Sequence, residues 1–78
     1  MYYKRIEEMR IDHDFTQQQV ADYLKIHREV YRRYEKGIRT IPAEFLIQLA
    51  EYYHTSTDYL LGLTDDSSPV SQKAGQNS

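Results

Sequence analysis

Apolar residues recur at helical spacing from the N-terminus to Leu63, and each run is closed within about ten positions by a capping or turn residue. Tyr2, Ile6, Met9 and His13 keep an i, i+4, i+7 stripe with Arg10 beside it, predicting a first helix that stops around Asp12 to Asp14, where Asp favours caps and turns. Thr16 opens "TQQQVADYL" as an N-cap, Gln19 completes a capping box, and the resulting second helix has Val20, Ala21 and Leu24 as its apolar face. After a break at Lys25-Ile26, His27 is placed to cap a third helix through about Lys36, with Gly37 as the stop. Pro42 sits where a first-turn proline is tolerated, ahead of "AEFLIQLAEYY", whose predicted face is Ala43, Leu46, Ile47, Ala50 and Tyr53. Ser56 caps a last short helix, "TDYLLG", ended by Gly62, with Leu60 and Leu61 toward the core. No strand signal interrupts this succession, so five short helices and an all-α fold are expected.

A chain of 78 residues allows one small domain, and a domain of that size buries only about 60% of the surface its unfolded form exposes. With no cysteine there is no disulfide to staple it, no thiolate metal site and no Cys nucleophile. No run of about 18 apolar residues occurs and the N-terminus is charged from Lys4, so neither a membrane span nor a signal peptide is expected, and the expected location is cytoplasmic. His13, His27 and His54 form no i, i+4 pair, so no metal site is expected. Three glycines leave little room for a phosphate-cradling loop or a dinucleotide fingerprint, and no G-x-S-x-G occurs, so neither an enzyme nor a cofactor is expected. Beyond Leu63, "TDDSSPVSQKAGQNS" has almost nothing to bury, which sets a folded domain at 1–63 and a polar, disordered tail at 64–78 as the expectation.

Charge is concentrated in one stretch. From Lys25 to Arg39 there are six Lys/Arg and two Glu, a local charge of +4 in a chain of net charge -2. On a helical projection of residues 27–36, Val30, Tyr31 and Tyr34 share one side, and Arg28, Glu29, Arg32, Arg33 and Lys36 the other. A helix about 10–12 Å across fits a B-DNA major groove about 12 Å wide, where Arg can bond guanine bidentately and Glu can accept from cytosine. The plain alternative is the solvated side of a surface helix. Two short helices separated by a tight turn, with the small Ala21 where they would cross, describe helix-turn-helix geometry.

The run "FTQQQVADYLKIHREVYRRYEKGIRTIPAEFLIQLAEYYHTSTDYLLG" resembles the phage-repressor and Cro type of helix-turn-helix domain, a likeness that covers residues 2 to about 63. Its pieces are "TQQQVA" opening the second helix, "RRYEKG" closing the third, "IPAEFLIQLAEYY" as the fourth and "STDYLLG" as the fifth. The resemblance implies a compact five-helix, lambda-repressor-like DNA-binding domain with its third helix in the major groove. It implies base reading by His27, Arg28, Glu29 and Arg33, with Arg32 on the rim, and a phosphate grip by Gln17 at a helix N-terminus that itself favours anions. Gln18, Arg32, Lys36 and Arg39 extend the phosphate set, with capping or a solvated face as the plain alternatives. The resemblance also implies Glu35 as the partner of Arg10, an ion pair locking the third helix to the first. Three positions depart from the family pattern: Lys25 at a turn often occupied by Gly, His54 where the fourth helix usually ends in Gly or Asn, and Tyr31 at an inward site more often Ile or Val.

One recognition helix covers few base pairs, so a homodimer on paired half-sites is expected on double-stranded DNA, with Phe45, Tyr52 and Tyr59 as candidate contacts. A second class remains open: the same fold holding a protein partner, as an antitoxin or antirepressor component, for which an exposed apolar patch would be the mark. The expected function is sequence-specific transcriptional regulation, most simply repression, and Lys36→Ala is expected to weaken all DNA sequences alike.

Overall fold

Local chemistry sets the helix boundaries in the computed structural model, which describes residues 1–69. Among the described residues there are five helices: α1 (Lys4–Asp12), α2 (Gln17–Leu24), α3 (Arg28–Glu35), α4 (Ala43–Tyr52) and α5 (Thr57–Leu61). The Thr16 hydroxyl accepts from the Gln19 N–H at 3.1 Å while the Gln19 side chain accepts from the Thr16 N–H at 2.8 Å, the full capping box. Ser56 Oγ accepts from the Tyr59 N–H at 3.0 Å at the start of α5, and Gly62 ends it in the left-handed region at φ 81°. His27 holds the N-cap position of α3 with extended backbone but without a side-chain cap bond.

The turn between α2 and α3 keeps a glycine-like shape without a glycine. Lys25 adopts φ 61°, ψ 41°, and the N–H groups of Lys25 and Ile26 close onto the carbonyls of Asp22 and Ala21 at 3.1 and 3.0 Å. His54 repeats the solution after α4 at φ 56°. Gly37 is left-handed at φ 76° for a second reason: a Cβ there would lie 2.8 Å from the Tyr2 backbone, because the N-terminal segment crosses the end of α3.

α2 packs on α3, α4 on α5, and α1 against both α3 and α5. Ile6, Val20, Ala21, Leu24, Tyr31, Leu46, Leu49 and Leu60 meet in one core with Ile41, Ala50 and Tyr53. Each large aliphatic side chain buried there contributes roughly 1.5–3 kcal/mol. Two predicted stripes shift. Tyr2 precedes α1 and is exposed, Tyr3 packs against the core in its stead, and His13 is the exposed C-cap residue of α1. On α4 the buried stripe is Leu46, Leu49, Ala50 and Tyr53, the i, i+3, i+4, i+7 set; Ile47 and Ala43 lie off it and are exposed.

Thr64 and Asp65, assigned to the polar tail from sequence, are tied back to α1. Arg5 donates to the Tyr59 carbonyl at 3.0 Å, to the Thr64 carbonyl and to Asp65 Oδ1 at 2.6 Å, with its guanidinium 4.2 Å over the Tyr59 ring. The rest of the expected tail, residues 70–78, lies outside the described residues. Among the described residues no helix is long and apolar enough to cross a membrane.

Candidate nucleic-acid interface

α3 is built with two chemically distinct sides. Its inner side ends in Glu35, a carboxylate with no solvent exposure. Such a group is costly unless several donors satisfy it, and here four reach it. Arg10 of α1 donates from Nε at 2.7 Å and from Nη2 at 3.2 Å, the Tyr31 hydroxyl donates at 2.6 Å, and Gln17 Nε2 donates at 3.0 Å. Burial favours the neutral acid, yet the bonds from Arg10, Tyr31 and Gln17 outweigh it and hold Glu35 below the usual carboxylate range. The same bond raises Arg10 above its usual value, and burial pushes the Tyr31 hydroxyl up. One carboxylate thus fastens α3 to α1 and to the first residue of α2. Tyr31, the departure from an aliphatic residue, finds in Glu35 the partner its hydroxyl requires.

Gln17 is therefore placed differently from expectation. Its side chain turns inward to Glu35, so its amide serves the buried cluster first. What it leaves outward is backbone: the first N–H groups of α2, at Gln17 and Gln18, have no partner within the helix and face the anion-favouring end of its dipole. An open hollow lies in front of them, its lining including Thr16, Gln17, Gln18 and Arg28 together with the acidic Asp14. Gln18 is exposed and donates to Asp22 at 2.8 Å.

The outer side of α3 divides into free and paired cations. Arg28, at the first helical position, and His27 before it are exposed and make no side-chain hydrogen bond or ion pair among the described residues. Arg39, beyond α3, is exposed in the same way. Glu29 accepts from Arg32 Nε at 3.1 Å and Nη2 at 2.7 Å and lies 3.5 Å from Arg33 Nε. The Arg32 bonds, with Arg33 and Arg28 adding, hold Glu29 down to about 2. Lys36, expected on a phosphate track, instead donates to Glu7 of α1 at 2.8 Å, a bond that raises its pKa. A phosphate contact by Lys36 would therefore have to compete with Glu7.

The candidate dimer contacts have partners within the chain. Phe45 packs against the core, 5.9 Å from the Tyr34 ring. Tyr52 is half-buried between Tyr23, stacked at 3.9 Å, and Phe15 at 5.0 Å. Tyr59 lies under Arg5. All three are partly buried, each with an aromatic or cationic partner within the chain. Glu7, Arg5 and Tyr23 are the structural partners that sequence reasoning missed. Only Glu7 carried a signal, its i, i+3 spacing to Arg10, from which it lies 3.9 Å. No group of His, Cys, Asp and Glu able to hold a metal occurs among the described residues.

A helix pair joined by a left-handed turn, with the second helix anchored from within and charged on its outer side, defines a helix-turn-helix module. The helix-turn-helix family model matches residues 6–60, and the chain belongs to that family. It is 39% identical over 69 residues to the HTH-type transcriptional regulator YobD of Bacillus subtilis, covering 88% of this chain and 62% of that protein. It is 37% identical over 59 residues to the HTH-type transcriptional regulator ImmR of Bacillus subtilis, covering 76% and 46%. It is 30% identical over 53 residues to the cryptic phage CTXphi transcriptional repressor RstR of Vibrio cholerae, covering 68% and 48%. The chain spans between about half and three fifths of the length of these relatives. No solved structure matches it significantly.

Proposed function

We propose that this chain is a sequence-specific double-stranded DNA-binding regulator, most simply a repressor, that presents the N-terminal half of α3 to the major groove. The observation that carries the reading is Arg28: an exposed guanidinium at the first turn of α3, without an ion pair among the described residues, beside the N–H groups that open α2. In a helix-turn-helix the recognition helix enters the groove by its N-terminal residues. Arg28 and Arg33 read guanine edges, Glu29 is kept ionised to accept from a cytosine amino group, and His27 stands at the entry. A phosphate sits at the start of α2, with Gln18 and the Gln17 backbone beside it, and Arg32 and Arg39 flank the backbone on the other side. Gln17 itself positions the helix through Glu35.

The regulator works as a homodimer on an inverted repeat, since one α3 covers too few base pairs for a unique site. It acts in the cytoplasm, and names given to the relatives, regulators and a phage repressor, support repression. The test is selection from a randomised duplex pool at near-physiological salt. Enrichment of an inverted repeat with half-sites about one helical turn apart is expected. Retention without enrichment would reduce the function to phosphate binding, and no retention at low salt would favour a protein partner.

A further inference from the structure

The outer face of α3 and the segment after it offer fewer available cations than the sequence suggests. Of Arg28, Arg32, Arg33, Lys36 and Arg39, three are held by carboxylates: Arg32 and Arg33 by Glu29, and Lys36 by Glu7. We propose that Glu7 of α1 is a tuning residue for DNA affinity: by holding Lys36 it withholds one phosphate contact and so limits the sequence-independent part of binding. This rests on the DNA-binding reading above.

Glu7 is well placed for the task. Its side chain is only 22% exposed against 42% for Lys36, so the carboxylate is the fixed partner and the lysine the mobile one. Tyr2 donates to its other oxygen at 3.4 Å and Arg10 lies 3.9 Å away, so the N-terminal segment, α1 and α3 all orient it. A free cation that meets a phosphate releases a counterion; Lys36 would instead exchange one anion for another and leave Glu7 partly uncompensated. Non-specific affinity grows with the number of phosphates neutralised, whereas discrimination comes from base edges. Withholding one lysine therefore lowers the first without touching the second. Glu29 acts on Arg32 in the same sense, but it belongs to the reading set, which makes Glu7 the cleaner test.

The experiment measures the salt dependence of binding to a random duplex and to the selected operator, using the full chain and the variants Glu7→Gln, Glu8→Gln, Lys36→Ala and Glu7→Gln/Lys36→Ala. Glu8 is exposed and makes no ion pair among the described residues, so Glu8→Gln removes the same charge without freeing Lys36. Glu7→Gln is expected to steepen the slope by about 0.9, one added phosphate contact, on random duplex and operator alike, and to leave the operator-to-random ratio unchanged. The double variant should return to the wild-type slope, and Lys36→Ala alone should leave it unchanged. Equal slopes for Glu7→Gln and Glu8→Gln, or a flatter slope for Lys36→Ala alone, would overturn the proposal. The Lys36→Ala measurement stands even if Glu7→Gln does not fold. A wild-type chain that binds no duplex at low salt would remove the DNA-binding reading and this inference with it, whereas an intact operator preference with unchanged slopes would remove this inference alone.

Discussion

Tyr31 and Tyr53 are both buried, and their hydroxyls meet opposite environments. Tyr31 donates to an ionised carboxylate at 2.6 Å, while the Tyr53 hydroxyl is buried without a hydrogen-bond partner among the described residues. A bond to a charged group contributes about 1.5–3 kcal/mol, and an unsatisfied buried hydroxyl costs about 1–3 kcal/mol. Urea denaturation should therefore show Tyr31→Phe destabilising by roughly 1.5–3 kcal/mol and Tyr53→Phe neutral or stabilising by up to roughly 1 kcal/mol. Equal losses would mean that the Glu35 cluster is not what holds α3. Because Glu35 is lowered on folding, its contribution is fully present above the ordinary carboxylate pKa and disappears as pH falls through the lower, folded value. Stability should accordingly drop on the acid side of the carboxylate range, and Glu35→Gln should flatten that limb of the profile while lowering stability at neutral pH. At the interface, Arg28→Ala is expected to cost about 1–3 kcal/mol on the operator and to relax preference at one base position. An equal loss on operator and random duplex would assign Arg28 to phosphates.

At the scale of the element, the short helices depend on their ends more than on their lengths. α2 and α3 have eight residues each, below what an isolated peptide sustains, so caps and packing decide whether they form. Thr16→Ala should cost about 1 kcal/mol through the lost capping box. Lys25 raises the opposite case, since a left-handed conformation costs a non-glycine residue about 1–2 kcal/mol, partly offset by the greater unfolded freedom of glycine. Lys25→Gly should therefore raise the urea midpoint, by an amount equivalent to roughly 0.5–1 kcal/mol. A lower midpoint would show that the Lys25 side chain stabilises the turn in a way its backbone does not reveal.

Across the molecule, what could be read from sequence was what is local. Thr16 and Gln19 are three residues apart, Ser56 and Tyr59 likewise, and the Val20, Ala21, Leu24 face spans one turn, so spacing alone specified them. The contacts that rearranged the site join residues 18 and 29 positions apart, Gln17 with Glu35 and Glu7 with Lys36, for which periodicity carries no signal. Arg10 and Glu35 are 25 positions apart, and their pairing was legible only through family resemblance. The partners of the aromatic residues offered for a dimer were illegible for the same reason: stacking of Tyr23 on Tyr52 and of Arg5 on Tyr59 depends on how helices cross. At the start of α3, His27 and Arg28 are exposed and without an ion pair among the described residues, and that placement is the central functional claim. The most direct measurement is backbone amide chemical-shift mapping during titration with the duplex enriched by selection. Perturbations are expected to cluster at Thr16 to Gln18, at His27 to Arg33 and around Arg39. Perturbations confined to α4 and α5, with the start of α3 unmoved, would contradict it.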